Sequence, residues 1–370
     1  MIFFWKARFF SLLLFFPFLF SCSNLRDRQN LQGNDQVLQW MMGGKTALDN
    51  GQTANAFSQW QKAADLLDQI WANKEGAKKA GSLWYGELAK EFRGEPYERM
   101  MLYFYLGILF YQNEDYGNAQ AAFKQISIQG QEAKTVEAQY VFRLALLLEA
   151  FALKALNSEG GYQNALQLYL AQGWELPFSL EKPPQALVIF EGGTAPKKEW
   201  QKSPEKLIYQ DTNSKQDLID LSLDGVSKIV YRQRIFDIAQ AKGLREADKY
   251  AQGKSQTKDV TQKTGNVATQ IGSNLAGSDS GDKLAAALIV GGLAAQIFSY
   301  NIVVQGDTRA WVNLPGYLYY SFLNLPPDKA VNLQVKKSDS LDNPPFFSQL
   351  LTSSSSDGGR VKILYIPSGK

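Results

Sequence analysis

Residues 103–123 read Tyr103-Phe104-Tyr105-Leu106-Gly107-Ile108-Leu109-Phe110-Tyr111-Gln112-Asn113-Glu114-Asp115-Tyr116-Gly117-Asn118-Ala119-Gln120-Ala121-Ala122-Phe123. Apolar residues recur at helical spacing on both sides of the polar Asn113-Glu114-Asp115-Tyr116 turn, the pattern of two helices folded back on each other. Gly107 and Ala119 are small enough to let the two backbones approach, and the aromatics fill the space around that contact. The same order of large and small residues returns at Trp40, Gly44, Ala47, Ala56, Trp60 and Ala63, and more weakly at Leu153, Ala165, Tyr169 and Pro177.

Working outward, the chain from 36 to 179 is rich in Ala, Leu, Gln and aromatics and reads as all-helical. The repeated spacing resembles that of tetratricopeptide repeats, so an α-helical solenoid is expected, with an extra helical segment near 71–92. A plain α-helical bundle is the competing reading. In tetratricopeptide repeats the first helix of each pair lines the concave surface. That register exposes Met41, Lys45 and Asp49 in the first copy, Phe104, Ile108, Tyr111 and Gln112 in the second, and Lys154 and Asn157 in the third. A groove of this mixed character suits a helical or extended peptide of a partner protein. Its alternative is that Phe104 and Ile108 pack against the extra helical segment or the C-terminal domain.

Beyond Pro177 the composition changes. Leu180-Glu181-Lys182-Pro183-Pro184 breaks helix, and short β-type runs follow at 186–190, 207–209 and 218–223, the last paired across Asp224-Gly225 with 227–232. A helix is expected over 236–251 and a polar linker over about 252–282. Strands are expected at 316–323, 330–335 and 361–366, with Pro326-Pro327-Asp328 turning between the first two and a flexible excursion over 353–359. The Ala- and Gly-rich run Leu284–Tyr300, within about 283–304, nears the length of a membrane span. Gln296 and Asn301 are costly in hydrocarbon, so a buried or interface-buried helix is preferred over membrane insertion. The fold class is therefore α+β: an N-terminal tetratricopeptide-like solenoid followed by a mixed, β-containing domain over 180–370.

At the amino terminus, Lys6 and Arg8 precede the apolar run Phe9–Phe20, which ends in Leu19-Phe20-Ser21-Cys22. This is a secretory signal rather than a fold element, and its apolar core is too short to stay as a spanning helix. The Leu-x-Ser-Cys ending resembles a bacterial lipobox. That resemblance implies diacylglyceryl transfer to Cys22, cleavage after residue 21, and a tether over 22–35. A non-lipidated signal or a membrane anchor with an incidental cysteine is the alternative. Two acyl chains are enough for stable anchoring. Ser23 in place of Asp favours sorting to the outer membrane, facing the periplasm.

Composition narrows the chemistry. The chain has 39 Lys plus Arg against 36 Asp plus Glu and no histidine. Near-neutrality leaves no electrostatic case for nucleic acid. Without histidine the usual general base, metal ligand and Ser-His or Cys-His nucleophile arrangements are missing. Cys22 is the single cysteine, so its acylation leaves no thiol for a disulfide or metal site. No catalytic residue, metal or cofactor is assigned.

Three further stretches carry a family resemblance: Gly94-Glu95-Pro96-Tyr97-Glu98-Arg99, Val188-Ile189-Phe190-Glu191-Gly192-Gly193-Thr194-Ala195-Pro196-Lys197-Lys198, and Asp307-Thr308-Arg309-Ala310-Trp311-Val312-Asn313-Leu314-Pro315. In order along the mature chain they resemble a family of bacterial outer-membrane lipoproteins with tetratricopeptide-like repeats and a C-terminal β-containing region. The resemblance implies no activity; its setting implies a role in cell-wall synthesis or outer-membrane assembly. The expected function is a lipid-anchored envelope scaffold or adaptor that binds envelope proteins, as a homo- or hetero-oligomer. A glycan-binding module or a carboxylate-dependent cell-wall enzyme is the alternative. Asp307, Arg309 and Trp311 alternate along an extended segment and read as a buried brace in preference to a recognition surface. Glu191, Lys197 and Lys198 read as loop charges.

Overall fold

The computed structural model describes residues 35–72, 92–130, 142–202, 205–213, 219–242, 307–326, 329–337, 347–351 and 360–368, together with positions 262, 263, 266 and 270. Among the described residues six helices come first. They are α1 (Gln36–Asp49), α2 (Thr53–Ala72), α3 (Pro96–Gln112), α4 (Tyr116–Gln129), α5 (Arg143–Ala155) and α6 (Glu159–Ala171). They form three antiparallel pairs, each closed by the same turn. Gln52 N–H donates to Ala47 O at 2.8 Å, Asp115 N–H to Phe110 O at 3.0 Å, and Ser158 N–H to Leu153 O at 2.9 Å. Gly51, Glu114 and Asn157 hold a positive φ at the equivalent place.

Those bonds set the register of the repeats. In the first two pairs the small residue of the leading helix abuts a large ring of the trailing one: a Cβ added at Gly44 would lie 2.6 Å from Trp60 Cδ1, and one at Gly107 2.6 Å from Phe123 Cδ1. The Trp60 indole N–H donates to Met41 O at 3.0 Å, tying the first pair together. Gly107→Ala should therefore cost about 1–3 kcal/mol of stability by overpacking, although alanine has the higher helix propensity; thermal melts of the two proteins check this. In the third pair the equivalent positions are Ala150, Tyr162 and Leu166, three residues earlier than the Leu153, Ala165 and Tyr169 expected from spacing. Volume is redistributed there, with Tyr162 standing where Ala56 and Ala119 stand and a leucine replacing the large ring.

The β-domain is built from β1 (Ala186–Gly192), β2 (Lys197–Lys202), β3 (Glu205–Gln210), β4 (Ile219–Leu223), β5 (Val226–Lys228), β6 (Tyr231–Arg234), β7 (Tyr317–Leu323), β8 (Val331–Lys337), β9 (Phe347–Leu351) and β10 (Lys362–Ile366), with α7 (Ile235–Lys242) after β6. One sheet has the order β10-β1-β7-β6, a second β5-β4-β8-β9, and β2-β3 is a separate hairpin. β1 and β10 run parallel, and β1 and β7 antiparallel. Asp224 and Gly225 both take positive φ at the β4–β5 turn, as a two-residue hairpin with the strands' right-handed twist requires.

Strand parity makes the first sheet the middle of three layers. Leu187, Ile189, Leu318, Tyr320, Ile363 and Tyr365 pack into one core with the repeat helices. Ala186, Val188, Phe190, Tyr317, Tyr319 and Ile366 pack on the opposite side with Leu221, Leu333 and Val335 of the second sheet. A strand buried on both faces reads as a continuous apolar run, which is why Ala186–Phe190 lacks alternation.

Several sequence expectations change in detail. The expected strand 227–232 is two strands in different sheets, β5 pairing with β4 and β6 with β7. Lys197 and Lys198 lie in β2 rather than in a loop, and β9 was not expected. The helix expected over 236–251 is described only as far as Lys242. The segment 73–91, most of the linker 252–282, the apolar run 283–304 and the excursion 353–359 lie outside the described residues. Among the described residues no helix is long and apolar enough to cross a membrane.

Candidate functional site

Buried charged side chains form two clusters, one where the repeats meet the middle sheet and one where they meet the β2–β3 hairpin and residues 307–311. The first is built on Glu191, which follows Leu187 and Ile189 on the helix-facing side of β1. Lys45 Nζ lies 2.9 Å from Glu191 Oε2, and both side chains are fully buried. The hydroxyls of Tyr105 and Tyr365 each donate to Glu191 Oε1 at 2.5 Å, and Ser368 N–H donates to Oε2 at 2.9 Å. Lys45 also pairs with Asp49 at 2.5 Å and donates to Ser368 Oγ at 3.2 Å. Burial, then the neighbouring Glu191 carboxylate, push both tyrosine hydroxyls well above their ordinary range, so they remain donors. One carboxylate thereby joins α1, α3, β1 and the end of the chain.

The second cluster begins at the start of α3. Pro96 takes the first helical position, and Glu95 and Glu98 form a reciprocal capping box, with Glu95 N–H donating to Glu98 Oε2 at 2.6 Å. Glu95 pairs with the buried Lys198 of β2, and Lys198 also donates to Arg309 O at 3.2 Å. The other Glu98 oxygen accepts from Trp311 N–H at 2.6 Å. Arg309 grips Asp307 with two bonds, at 2.8 and 2.9 Å, and reaches Asp35 beside α1. Arg99 donates to Gly94 O at 2.8 Å and to Gln129 Oε1 at 2.6 Å. Stacked Trp60 and Tyr105 rings, 4.6 Å apart, and the Trp311 ring 5.8 Å from Tyr105 separate the two clusters.

Glu98 carries the clearest electrostatic consequence. Its pKa is pushed up from 4.5 to about 7 by burial first, with Glu95 adding to the rise, against Lys198 and the two backbone N–H donors. The folded chain then holds a proton between about pH 4.5 and 7 that the unfolded chain releases. Stability from this group is complete below the unfolded pKa and is lost as pH rises through the folded one. The size is at most about 3.5 kcal/mol, at about 1.4 kcal/mol per unit. Subtracting the urea-derived stability of Glu98→Gln from that of wild type at each pH should give a difference that falls across this window; a flat difference would refute the assignment.

The peptide groove expected from the sequence is corrected here. Met41, Lys45, Phe104, Ile108 and Tyr111 are buried rather than open. The chain's own β-domain lies on them: Tyr111 OH donates to Val361 O at 2.7 Å, and the Phe104 and Tyr365 rings meet edge to face at 6.0 Å. Asn313 donates to Met42 O at 2.9 Å, closing the first repeat. Gln112 is exposed, and Lys154 is half-buried with its ammonium 4.7 Å from the Tyr162 ring centroid. With the third repeat in its observed register, Leu147 and Phe151 match Phe104 and Ile108, and both are buried. Asp307 and Arg309 pair as expected, but the guanidinium lies over the Phe92 ring, and the fully covered Trp311 ring packs against Trp60 and Tyr105 instead. Cys22 lies outside the described residues.

Glu95, Glu98, Glu191 and Lys198 were not expected at a site. The capping-box spacing of Glu95 and Glu98 and the parity of Glu191 with Ile189 were readable signals; the Lys198 partnership, between residues far apart in the chain, was not. Among the described residues no group of three or more His, Cys, Asp or Glu is placed to hold a metal ion. Compared with known proteins, the chain matches no family model, no curated protein and no solved structure.

Proposed function

We propose that this protein is a lipid-anchored cell-envelope scaffold, held at the outer membrane through Cys22, whose helical repeats carry a β-domain and present it to envelope proteins. The observation that carries the reading is the pairing of a lipobox-like ending with three helical hairpins in one register, since such hairpins commonly build binding platforms. Because the concave side is taken by the chain's own sheet, partners are assigned to the remaining surfaces of the body. The clustered charges fit a structural weld better than catalysis: their oxygens already accept from Lys45, Lys198, Tyr105, Tyr365 and backbone N–H groups. A place in cell-wall or outer-membrane assembly follows from the family resemblance.

Anchoring is tested by Cys22→Ser. Labelled palmitate should enter the wild-type chain and not the variant, and the variant should keep residues 1–21 and leave the membrane fraction of its mature form empty. A mature wild-type amino terminus without lipid in mass spectrometry would sink the anchored reading. Crosslinking of the lipidated chain in intact cells, followed by identification of envelope proteins on its convex side, tests the scaffold.

A further inference from the structure

The last described segment, residues 360–368, lies along the repeats in the way an extended peptide ligand lies in a groove. It starts at α4, where Arg360 sits over the Tyr116 ring at 5.4 Å, and runs against α3: Val361 O accepts from Tyr111, and Tyr365 meets Phe104 and Tyr105. It ends at α1, where Lys45 and Glu191 hold Ser368. Alternate side chains Val361, Ile363 and Tyr365 enter the helical core, while Ile366 enters the second one.

Its other attachments are unlike those of an ordinary last strand. Among the described residues β10 pairs only with β1, in parallel, and shares no sheet with β9, the described strand before it. The connecting stretch 352–359 is Thr-Ser-Ser-Ser-Ser-Asp-Gly-Gly. A parallel edge strand makes every one of its contacts with distant parts of the chain, so nothing local distinguishes its own copy from an identical one.

We propose that the seat formed by β1, α3 and α1 is a peptide-recognition site, filled in cis by residues 360–368 and able to take the same segment from a second copy. The chemistry it selects is an extended strand, apolar at alternate residues, with a tyrosine hydroxyl aimed at Glu191 and a serine hydroxyl at Lys45. The second copy is the occupant because the sequence that matches these contacts is the chain's own. This rests on the repeat geometry, not on lipid anchoring, so failure here leaves the Cys22 experiment untouched.

The test uses the mature chain purified in detergent, with a protease sequence placed within 352–359. After cleavage, a fluorescent peptide of residues 360–370 should enter the nicked protein, seen as a rise in anisotropy that unlabelled peptide reverses. The Tyr365→Ala peptide should compete at least about ten-fold less well, as expected for an aromatic anchor. A nicked chain that unfolds, or that keeps its own segment against excess labelled peptide, would make β10 a fixed core strand and overturn the proposal. Two differently tagged uncut chains, unfolded and refolded together, should co-purify; clean separation would overturn the assignment to a second copy.

Discussion

Replacing Phe104 and Tyr111 together by alanine should remove about 5 kcal/mol or more of folding stability, read as a shift of the urea midpoint. Phe104 is fully buried against Phe142, Tyr105 and Tyr365, and loss of a buried phenylalanine alone costs about 3–5 kcal/mol. Tyr111 adds the bond from its hydroxyl to Val361 O and the edge contact of its ring with Tyr116 at 5.0 Å. The two residues stand two helical turns apart on α3, so their effects should be close to additive. Were they the lining of an open groove, circular dichroism and melting would stay near wild type. A double variant with unchanged stability would contradict the packing described above.

Glu191→Ala should cost about 3–5 kcal/mol, because it strands a buried cation and removes the acceptor of two tyrosine hydroxyls and a backbone N–H at once. Among the described residues Lys45 keeps only Asp49 as a counter-charge in that variant. Combining Glu191→Gln with Lys45→Met should recover part of the loss. The amide oxygen still accepts from Tyr105 and Tyr365, and no buried ammonium remains to be solvated. Denaturation of the single and double variants gives the coupling between the two sites; a double variant as weak as Glu191→Ala would mean that the ion pair is not the source of the effect.

Much of the helical half was legible because its determinants are local. Gly107 and Phe123 sit on adjacent helices joined by a tight turn, so their spacing along the chain is also their meeting point in space. The third repeat slipped by three residues because Tyr162 and Leu166 carry the bulk in a different order from Ala56 and Trp60, and only the turn bonds reveal the alignment. In the β-half, the Asp224-Gly225 turn and the apolar run of β1 were readable. The split of 226–234 between two sheets was not, since Val226–Lys228 and Tyr231–Arg234 choose partners nearly a hundred residues apart.

The candidate site divides along the same line. Residue pattern alone determined the α+β order, the helical hairpins and the absence of histidine chemistry. The Asp307–Arg309 pair was readable as neighbours two residues apart, whereas the place of Trp311, against Trp60 and Tyr105 and away from the Arg309 guanidinium, was not. Tertiary structure alone decided that Lys45 meets Glu191, that Glu95 meets Lys198, and that the face of α1 and α3 carrying Lys45 and Tyr111 is covered by the chain's own sheet. Each of these depends on which distant surface buries the apolar stripe of a helix. An amphipathic helix specifies only that one face must leave water; the covering surface is selected by the summed burial of both partners, a quantity that no local stretch of sequence contains.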